Sequence, residues 1–222
     1  MAIYMMRAEP STVIAHYPLT SSSTTNDTSG NGYNLTNNWN TVFGTYHWVS
    51  CAYFNGNNSD LTHSNFYNLA QWDYTVNVWA YKLAQANSNY DYYVYAIWSM
   101  GDATDAWKAS ILEYDDQRLR FALWFDDCDA VTNPQWEWVN ICLKYTKSDW
   151  WQYIYVNWQL SNSRTTTNTH ILEVLNMYIG HNPSHWNFYW NGYLSELIFD
   201  WKAWTAQEVL DYYNDTKSNY WL

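Results

Sequence analysis

Two acidic segments are the first places where this sequence could carry chemistry. In LEYDDQ, Glu113 and Asp115 alternate like the carboxylates of the E-x-D-x-E motif, with which some glucanases project nucleophile and acid from one face of a strand. The third position of that motif is Gln117 here, and an amide cannot supply a proton to a leaving group. We therefore interpret both carboxylates as ordinary turn or edge-strand residues and keep glycosidase activity as a minor alternative.

The second acidic segment, FDDCDA, brings Asp126, Asp127 and Asp129 close together. Oxygen-rich segments of this kind can hold Ca²⁺, whose coordination is flexible. The sequence has no D-x-D-x-D-G calcium loop, so a solvated acidic loop is the more ordinary interpretation. We retain these three residues as the candidate calcium site.

Other catalytic patterns find no support in the sequence. His181 and His185 are four residues apart, but Pro183 lies between them and indicates a turn, so the helical geometry of a metal-binding pair is not available. The G-x-S-x-G, P-loop and G-x-G-x-x-G motifs of acyl-transfer and nucleotide chemistry are absent from the sequence. We predict a protein without catalytic residues that is not an enzyme.

Aromatic residues are the remaining candidates for ligand binding. They make up 21% of the chain, and some lie in the turn-rich segments KSDWW and HNPSHWNFYW. Rings at loop tips can stack on the apolar faces of sugar rings. The candidate ligand-binding residues are Trp150, Trp151, Trp186, Tyr189 and Trp190. For each ring, the alternative is a place in the protein core or in an oligomer interface.

Charge and hydropathy exclude several classes of partner. The formal net charge of −11 and the lack of a basic stripe argue against nucleic acid. No apolar run approaches the roughly 20 residues of a membrane span, and the N-terminal residues lack the apolar stretch of a signal peptide. Cys51, Cys128 and Cys142 have no C-x-x-C spacing and are expected to be small buried residues.

Short strand patterns separated by turn residues recur along the chain. In residues 119–125, LRFALWF, every second residue is a large apolar side chain, which is typical of a strand with one buried face. The predicted strands are residues 13–19, 51–56, 74–81, 92–98, 119–125, 139–145, 152–156, 175–180 and 193–199. Residues 19–40 read as a polar loop, and no second such region could serve as a linker, so we expect a single domain over residues 1–222.

One helix is predicted, at the C-terminal end of the chain. Thr205 and Glu208 have the spacing of a capping box, and Ala206, Val209 and Tyr213 fall on one helical face. The whole pattern predicts an all-β protein, a two-sheet antiparallel sandwich with a short C-terminal helix packed across it.

Several segments together resemble the laminin-G-like, concanavalin-A-like jelly-roll superfamily. The segments are AHYPL, DTSGNGYNL, FNGNNSDL, YTVNVWAY, IYVNWQL, LNMYIGH and NGYLSELIFDWKAWTAQEVLDYYN, in an order that runs through nearly the whole chain. The resemblance implies a jelly roll that mostly serves as a binding module, often for carbohydrate and often with calcium, with enzymes in some branches. Function must therefore be argued from sites.

From these observations we expect a non-enzymatic module displayed on a cell surface or on a virion. Its partners would be a glycan or neighbouring subunits, which could be further copies of itself. The virion version draws on a domain that begins almost at Met1 without a signal peptide. The alternatives are a polysaccharide hydrolase or lyase of the same fold, and a structural decoration protein that binds no sugar.

Trp158 in YVNWQL stands where a two-residue hairpin turn favours glycine. In sequences that resemble this one the turn reads Y-V-N-G-Q, and Trp48 is a similar case. The chain has 7 glycines and 17 tryptophans, whereas average usage predicts roughly 16 glycines. We hypothesise that the gene comes from a source that reads UGA as glycine and was translated here with tryptophan. An aromatic-rich surface selected for binding is the alternative.

Overall fold

The protein is an antiparallel β-sandwich with one C-terminal helix. The computed structural model describes residues 12–69, 72–83, 96–100, 110–114, 119–123, 126–166, 176–183 and 188–222. The strands are β1 Val13–Tyr17, β2 Thr36–Trp39, β3 Val42–Tyr46, β4 Val49–Asn55, β5 Asp60–His63, β6 Tyr74–Lys82, β7 Ala96–Met100, β8 Ser110–Tyr114, β9 Leu119–Leu123, β10 Asp126–Asp129, β11 Trp138–Thr146, β12 Trp151–Val156, β13 Gln159–Thr165, β14 Met177–Ile179, β15 His181–Asn182, β16 Phe188–Tyr189 and β17 Asn191–Asp200. The helix α1 spans Ala206–Thr216, and a 3₁₀ turn follows at Lys217–Tyr220.

Two antiparallel sheets form the layers. The first sheet has the order β13-β12-β11-β6-β17-β4-β3, with β1 also paired to β17. The second has the order β10-β9-β8-β7-β14-β5-β2, and β15 pairs with β16 in a small separate hairpin. The long strand β6 lies near the centre of the first sheet, in agreement with its apolar sequence on both faces.

The core lies between the two sheets and follows from the period-two alternation of apolar residues. Both sheets contribute fully buried side chains to one large cluster, such as Val76 and Val78 of β6 on one side and Trp98 and Phe121 on the other. The three cysteines are free and buried, as the sequence predicted.

The helix covers part of the outer face of the first sheet. Its capping box is present as predicted: the Thr205 hydroxyl accepts from the Glu208 N–H, and the Glu208 carboxylate accepts from the Thr205 N–H at 2.8 Å. Trp79 points outward from β6 and stacks on Tyr220, with ring centroids 3.9 Å apart. Among the described residues, no helix has the length and apolar character needed to cross a membrane.

The predicted sandwich and C-terminal helix are confirmed, with differences in the less apolar elements. The predicted strands at 92–98, 119–125 and 175–180 extend partly outside the described residues. The predicted loop over 19–40 contains strand β2 at its end. The hairpin turn at YVNWQL predicted a strand starting after Trp158, and β13 is that strand; its extent was not predicted, because its sequence QLSNSRT forms an exposed sheet edge and has no apolar alternation.

Candidate ligand-binding surface

Four half-exposed tyrosines form a continuous aromatic surface on the outer face of the first sheet. Tyr46, Tyr53, Tyr81 and Tyr193, here called the tyrosine surface, come from β3, β4, β6 and β17. The rings of Tyr46 and Tyr193 are stacked, with centroids 3.8 Å apart and planes at 9°. Tyr53 lies 5.2 Å from Tyr193, and Tyr81 lies 5.2 Å from Tyr46. The phenol rings are thus held in contact at the protein surface.

Strand register produces this arrangement. Tyr193 of β17 is the direct partner of Tyr53 on β4 and also of Tyr81 on β6. Side chains opposite each other in antiparallel strands have Cβ atoms about 5 Å apart, so the three tyrosines must form a row across three strands. Tyr46 comes from the next strand outward, β3, and completes the surface by stacking on Tyr193.

Burial keeps two phenols of the tyrosine surface in the neutral form. Burial raises the pKa of Tyr193 to about 12, with further contributions from neighbouring phenols and Cys51. Burial likewise raises the pKa of Tyr81, and a hydrogen bond with Tyr46 adds to the shift. The surface therefore offers apolar ring faces together with phenol hydroxyl groups. This is the combination that suits a ligand with alternating apolar and hydroxylated surfaces, such as a sugar.

The sequence prediction did not single out these tyrosines, although the signal was present. Alternation in YTVNVWAY places Trp79 and Tyr81 on one face of β6. The partners on the other strands could not be identified, because the register of β6 and β4 with β17, which follows them by more than a hundred residues, is not readable from a single sequence.

Of the predicted ligand-binding residues, Trp150 and Trp151 lie at the start of β12. Trp150 immediately precedes the strand and is partly buried against the main core. Trp151 stacks on Tyr153 with ring centroids 5.8 Å apart, and the Lys144 ammonium lies 3.9 Å from the Tyr153 ring. Both tryptophans belong to the first sheet, near its β13 edge, away from the strands that carry the tyrosine surface.

The other predicted ligand-binding residues within the described part of the chain, Tyr189 and Trp190, pack against protein groups. Trp190 is fully buried in the main core, so its ring is not available for stacking on a ligand from solvent. Tyr189 in β16 stacks in parallel on His181, with centroids 4.1 Å apart, and His181 Nδ1 lies 3.4 Å from the Asp60 carboxylate. Trp186 lies outside the described residues.

The three candidate calcium ligands are on a strand, β10, and not in a loop. Two of them bind the guanidinium group of Arg120 on the adjacent strand β9. This group lies 2.7 Å from the Asp127 carboxylate and 2.5 Å from the Asp129 carboxylate. Asp126 is buried and contacts Arg164 at 3.3 Å. Across the part of the chain that the structure describes, no group of three or more acidic, histidine or cysteine side chains has the arrangement of a metal site.

This pairing corrects the prediction of a solvated acidic loop. Asp126 and Cys128 are buried, whereas Asp127 and Asp129 alternate with them and are only partly buried. The prediction failed because carboxylates are rare in strands, and the guanidinium partners that neutralise them lie far away in sequence. Calcium binding by these three residues stays a prediction, and the arginine contacts argue against it.

The structure describes only part of the glycosidase alternative, which rests on Glu113 and Asp115. Glu113 belongs to β8 and is the backbone partner of Arg120 on β9. Asp115 and Gln117 lie outside the described residues.

The D-x-S-G-N-G loop, which contributes to the family resemblance, holds the first strand in place. The Asp27 carboxylate accepts from the N–H groups of His16, Ser29 and Tyr33 at 2.9 to 3.0 Å, and from the Ser29 hydroxyl at 2.9 Å. The Asn31 amide donates to the carbonyl groups of Val13 and Ile14. These side chains bind backbone groups, which accounts for their presence without a ligand.

The fold defines a class, the two-sheet antiparallel β-sandwich, and solved structures of that class superimpose on this chain. Domain 4 of AbnA, a GH43 extracellular arabinanase from Geobacillus stearothermophilus, in complex with arabinotriose, does so with a TM-score of 0.64 and 17% identity, over 90% of this chain and 97% of that one. The binding domain of Paraclostridial Mosquitocidal Protein 1 gives 0.69 and 15% identity, over 92% of this chain and 52% of that one.

A third similar structure is the binding domain of botulinum neurotoxin DC in complex with rat synaptotagmin II. Its TM-score is 0.70 at 13% identity, and the match covers 92% of this chain and 52% of that one. This chain therefore spans about half the length of the two toxin binding domains. No family model matches the chain, and no curated protein matches it. At these identities the likeness shows the fold alone, and the laminin-G-like resemblance stays a prediction.

Proposed function

We propose that this protein is a non-enzymatic carbohydrate-binding module whose ligand lies on the tyrosine surface. The single observation that carries the proposal is the in-register row of half-exposed tyrosines across β4, β17 and β6. Aromatic rings that already contact one another lose little side-chain entropy on binding, and phenol hydroxyls can orient a hydroxylated ligand.

The charge of the protein favours a neutral glycan over an anionic one. With a net charge of −11, the protein would repel sialylated, sulfated or uronic-acid-rich chains at long range. Burial raises the pKa of the Tyr193 and Tyr81 phenols, and the four tyrosines carry no positive charge, so the local surface adds no attraction for an anion.

The structural neighbours give the proposal a context. One of them was solved with an arabinotriose ligand, and two are binding domains of toxins, one of them in complex with rat synaptotagmin II. Because the identities are low, these ligands serve only to choose the first compounds for a test. We further propose that the module is displayed on the outside of a cell or on a virion, where a glycan ligand is accessible.

The test is a glycan array of neutral and anionic oligosaccharides, with arabino-oligosaccharides included, followed by calorimetric titration of any ligand that binds. We expect Tyr53→Ala and Tyr46→Ala each to weaken binding at least about tenfold, as expected when an aromatic side chain at the centre of an interface is truncated. Tyr53→Phe retains the ring and should keep most of the affinity if stacking dominates.

Tyr153→Ala is the matched control, because Tyr153 is also a half-exposed tyrosine of the first sheet but packs near Trp204 and Val209 at a different cluster beneath the helix. It should leave the affinity unchanged. A flat array with folded protein, or equal loss in the control, would refute the proposed site. Depolymerisation of a bound polysaccharide that is lost in Glu113→Gln would replace the proposal with the hydrolase or lyase alternative.

A further inference from the structure

Five tryptophans lie in left-handed backbone conformations. Tryptophan supplies five of the twelve non-glycine residues with positive φ in the described part of the chain: Trp48, Trp136, Trp150, Trp158 and Trp221, with φ between 61° and 67°. This region is sterically unfavourable for a residue with a Cβ atom and is rarely occupied by bulky residues. Three of the other seven are asparagines, which tolerate it.

Two of the five tryptophans are the second residue of a two-residue hairpin turn. Asn157 and Trp158 connect β12 to β13 with φ of 46° and 67°. His47 and Trp48 connect β3 to β4 with φ of 46° and 67°. Positive φ at both central residues is the signature of a type I′ turn, for which glycine is strongly preferred at the second position.

A third tryptophan occupies the glycine position that ends a helix. Trp221 follows the 3₁₀ turn with φ of 65° and ψ of 31°, and the N–H of Leu222 donates to the Lys217 carbonyl at 3.3 Å. A left-handed residue followed by such a bond is the usual helix-ending motif, in which glycine predominates. Trp150, with φ of 61°, immediately precedes a strand after a turn, another position where a left-handed glycine is common.

Three of these tryptophans also lack the packing that would explain them. Trp48, Trp136 and Trp221 are 84%, 58% and 73% exposed. By contrast, Trp79, Trp98 and Trp190 are fully buried, and none of the three has positive φ. The chain has 7 glycines, and glycine at these five positions would bring the glycine content closer to the average of about 7% of residues.

We infer that the natural protein carries glycine at positions 48, 136, 150, 158 and 221, encoded by UGA codons that its source reads as glycine. The inference concerns which residue the natural protein carries at these five positions, and it is independent of the proposed glycan site. It selects among the tryptophans by backbone conformation, and it leaves Trp79 and Trp151 as genuine tryptophans.

The inference also decides which aromatic surfaces are natural. Trp158 lines an apolar groove with Tyr155 and Leu160 on one side and the helix residues Ala206 and Leu210 on the other. Without the Trp158 indole, this groove loses one of its walls, so we do not assign it a ligand. Trp150 likewise leaves the set of candidate ligand-binding residues, whereas the tyrosine surface is unaffected.

The decisive experiment reads the gene and the natural protein together. Cleavage after Lys147 and Arg164 gives a peptide over residues 148–164 that contains positions 150, 151 and 158. We expect mass spectrometry of protein from its natural source to find glycine at 150 and 158 and tryptophan at 151, with UGA, UGA and UGG as the respective codons. A UGG codon or a tryptophan at position 158 would overturn the inference.

A stability measurement on the recombinant chain tests the conformational basis separately. Trp158→Gly should raise the melting temperature by about 2 to 4 °C, because left-handed strain is relieved. Trp39→Gly is the matched control: Trp39 is 63% exposed and lies in strand β2 without positive φ, so glycine there should lower the melting temperature. Equal effects of the two substitutions would contradict the argument from φ.

Discussion

Replacing Asp27 by alanine tests whether the D-x-S-G-N-G loop stabilises the fold or binds a ligand. The half-buried carboxylate accepts four hydrogen bonds, three of them from backbone N–H groups; the bond from His16 joins the loop to β1, and those from Ser29 and Tyr33 hold the loop itself together. A net value of about 1 kcal/mol for each backbone bond gives a loss of about 3 kcal/mol. For a domain of this size, that corresponds to a fall in melting temperature of roughly 6 to 12 °C.

The assay is thermal unfolding followed by circular dichroism, together with glycan binding measured well below the transition. Asp27→Ala should lower the melting temperature by the stated amount and leave the affinity unchanged. Asp149→Ala is the control, because Asp149 is exposed and bonds to the nearby Thr146 hydroxyl in a turn; its effect should be below about 0.5 kcal/mol. A melting temperature for Asp27→Ala within 2 °C of the parent would refute the stabilising role, and lost affinity in a stable variant would indicate a ligand site.

Four further predictions concern packing, capping, metal and pH. Gly180→Ala should lower the free energy of unfolding by about 3 kcal/mol or more, since the φ of Gly180 is 83° and a Cβ atom would lie 2.3 Å from the Phe54 ring. Gly44→Ala, with open space around it, should cost about 1 kcal/mol or less. Chemical denaturation measures both values. Thr205→Ala should remove the helix cap and cost about 1 kcal/mol in the same assay, with Thr205→Ser close to the parent. The protein should have the same melting temperature in calcium and in chelator, because Arg120 and Arg164 already neutralise the β10 carboxylates. A higher melting temperature in calcium would contradict this expectation. The pKa of Tyr193 is raised to about 12 in the folded protein from an unfolded value near 10. The neutral phenol therefore stabilises the fold below pH 10, and that contribution is lost as the pH rises to 12. Unfolding measured against pH should show this loss of stability, and Tyr193→Phe should reduce it.

The parts of the fold that were predictable are the strands rich in apolar residues. Strands β9 and β11 show apolar alternation in sequence, β6 is apolar on both faces, and the capping box of α1 is readable from Thr205 and Glu208. Strand β10, with its three aspartates, was missed, and the polar strand β13 was predicted only through the hairpin turn that precedes it. Their strand conformation depends on partners from elsewhere in the chain, which local sequence does not specify.

The candidate site was less predictable than the fold for the same reason. The prediction of ligand-binding rings at loop tips included Trp150, whose positive φ is typical of glycine, and Trp190, which is buried in the core. The tyrosine surface is created by the register of β4, β17 and β6, and a shift of one residue would turn each row of side chains to the opposite face.

Aromatic content is therefore a poor guide to the binding surface of this protein unless backbone conformation is considered with it. Tryptophans with positive φ occupy positions where the turn dictates glycine, so their exposure says nothing about a selected ligand. Tyr53, Tyr81 and Tyr193 lie on paired strands without positive φ, and their exposure on the outer face has no such stereochemical origin. Tyr46, Tyr81 and Tyr193 pack against the buried cluster that contains Cys51 and Trp79, yet they remain half exposed. Because contiguous exposed aromatic side chains mark interaction sites, the tyrosine surface is where a selected binding function should be sought.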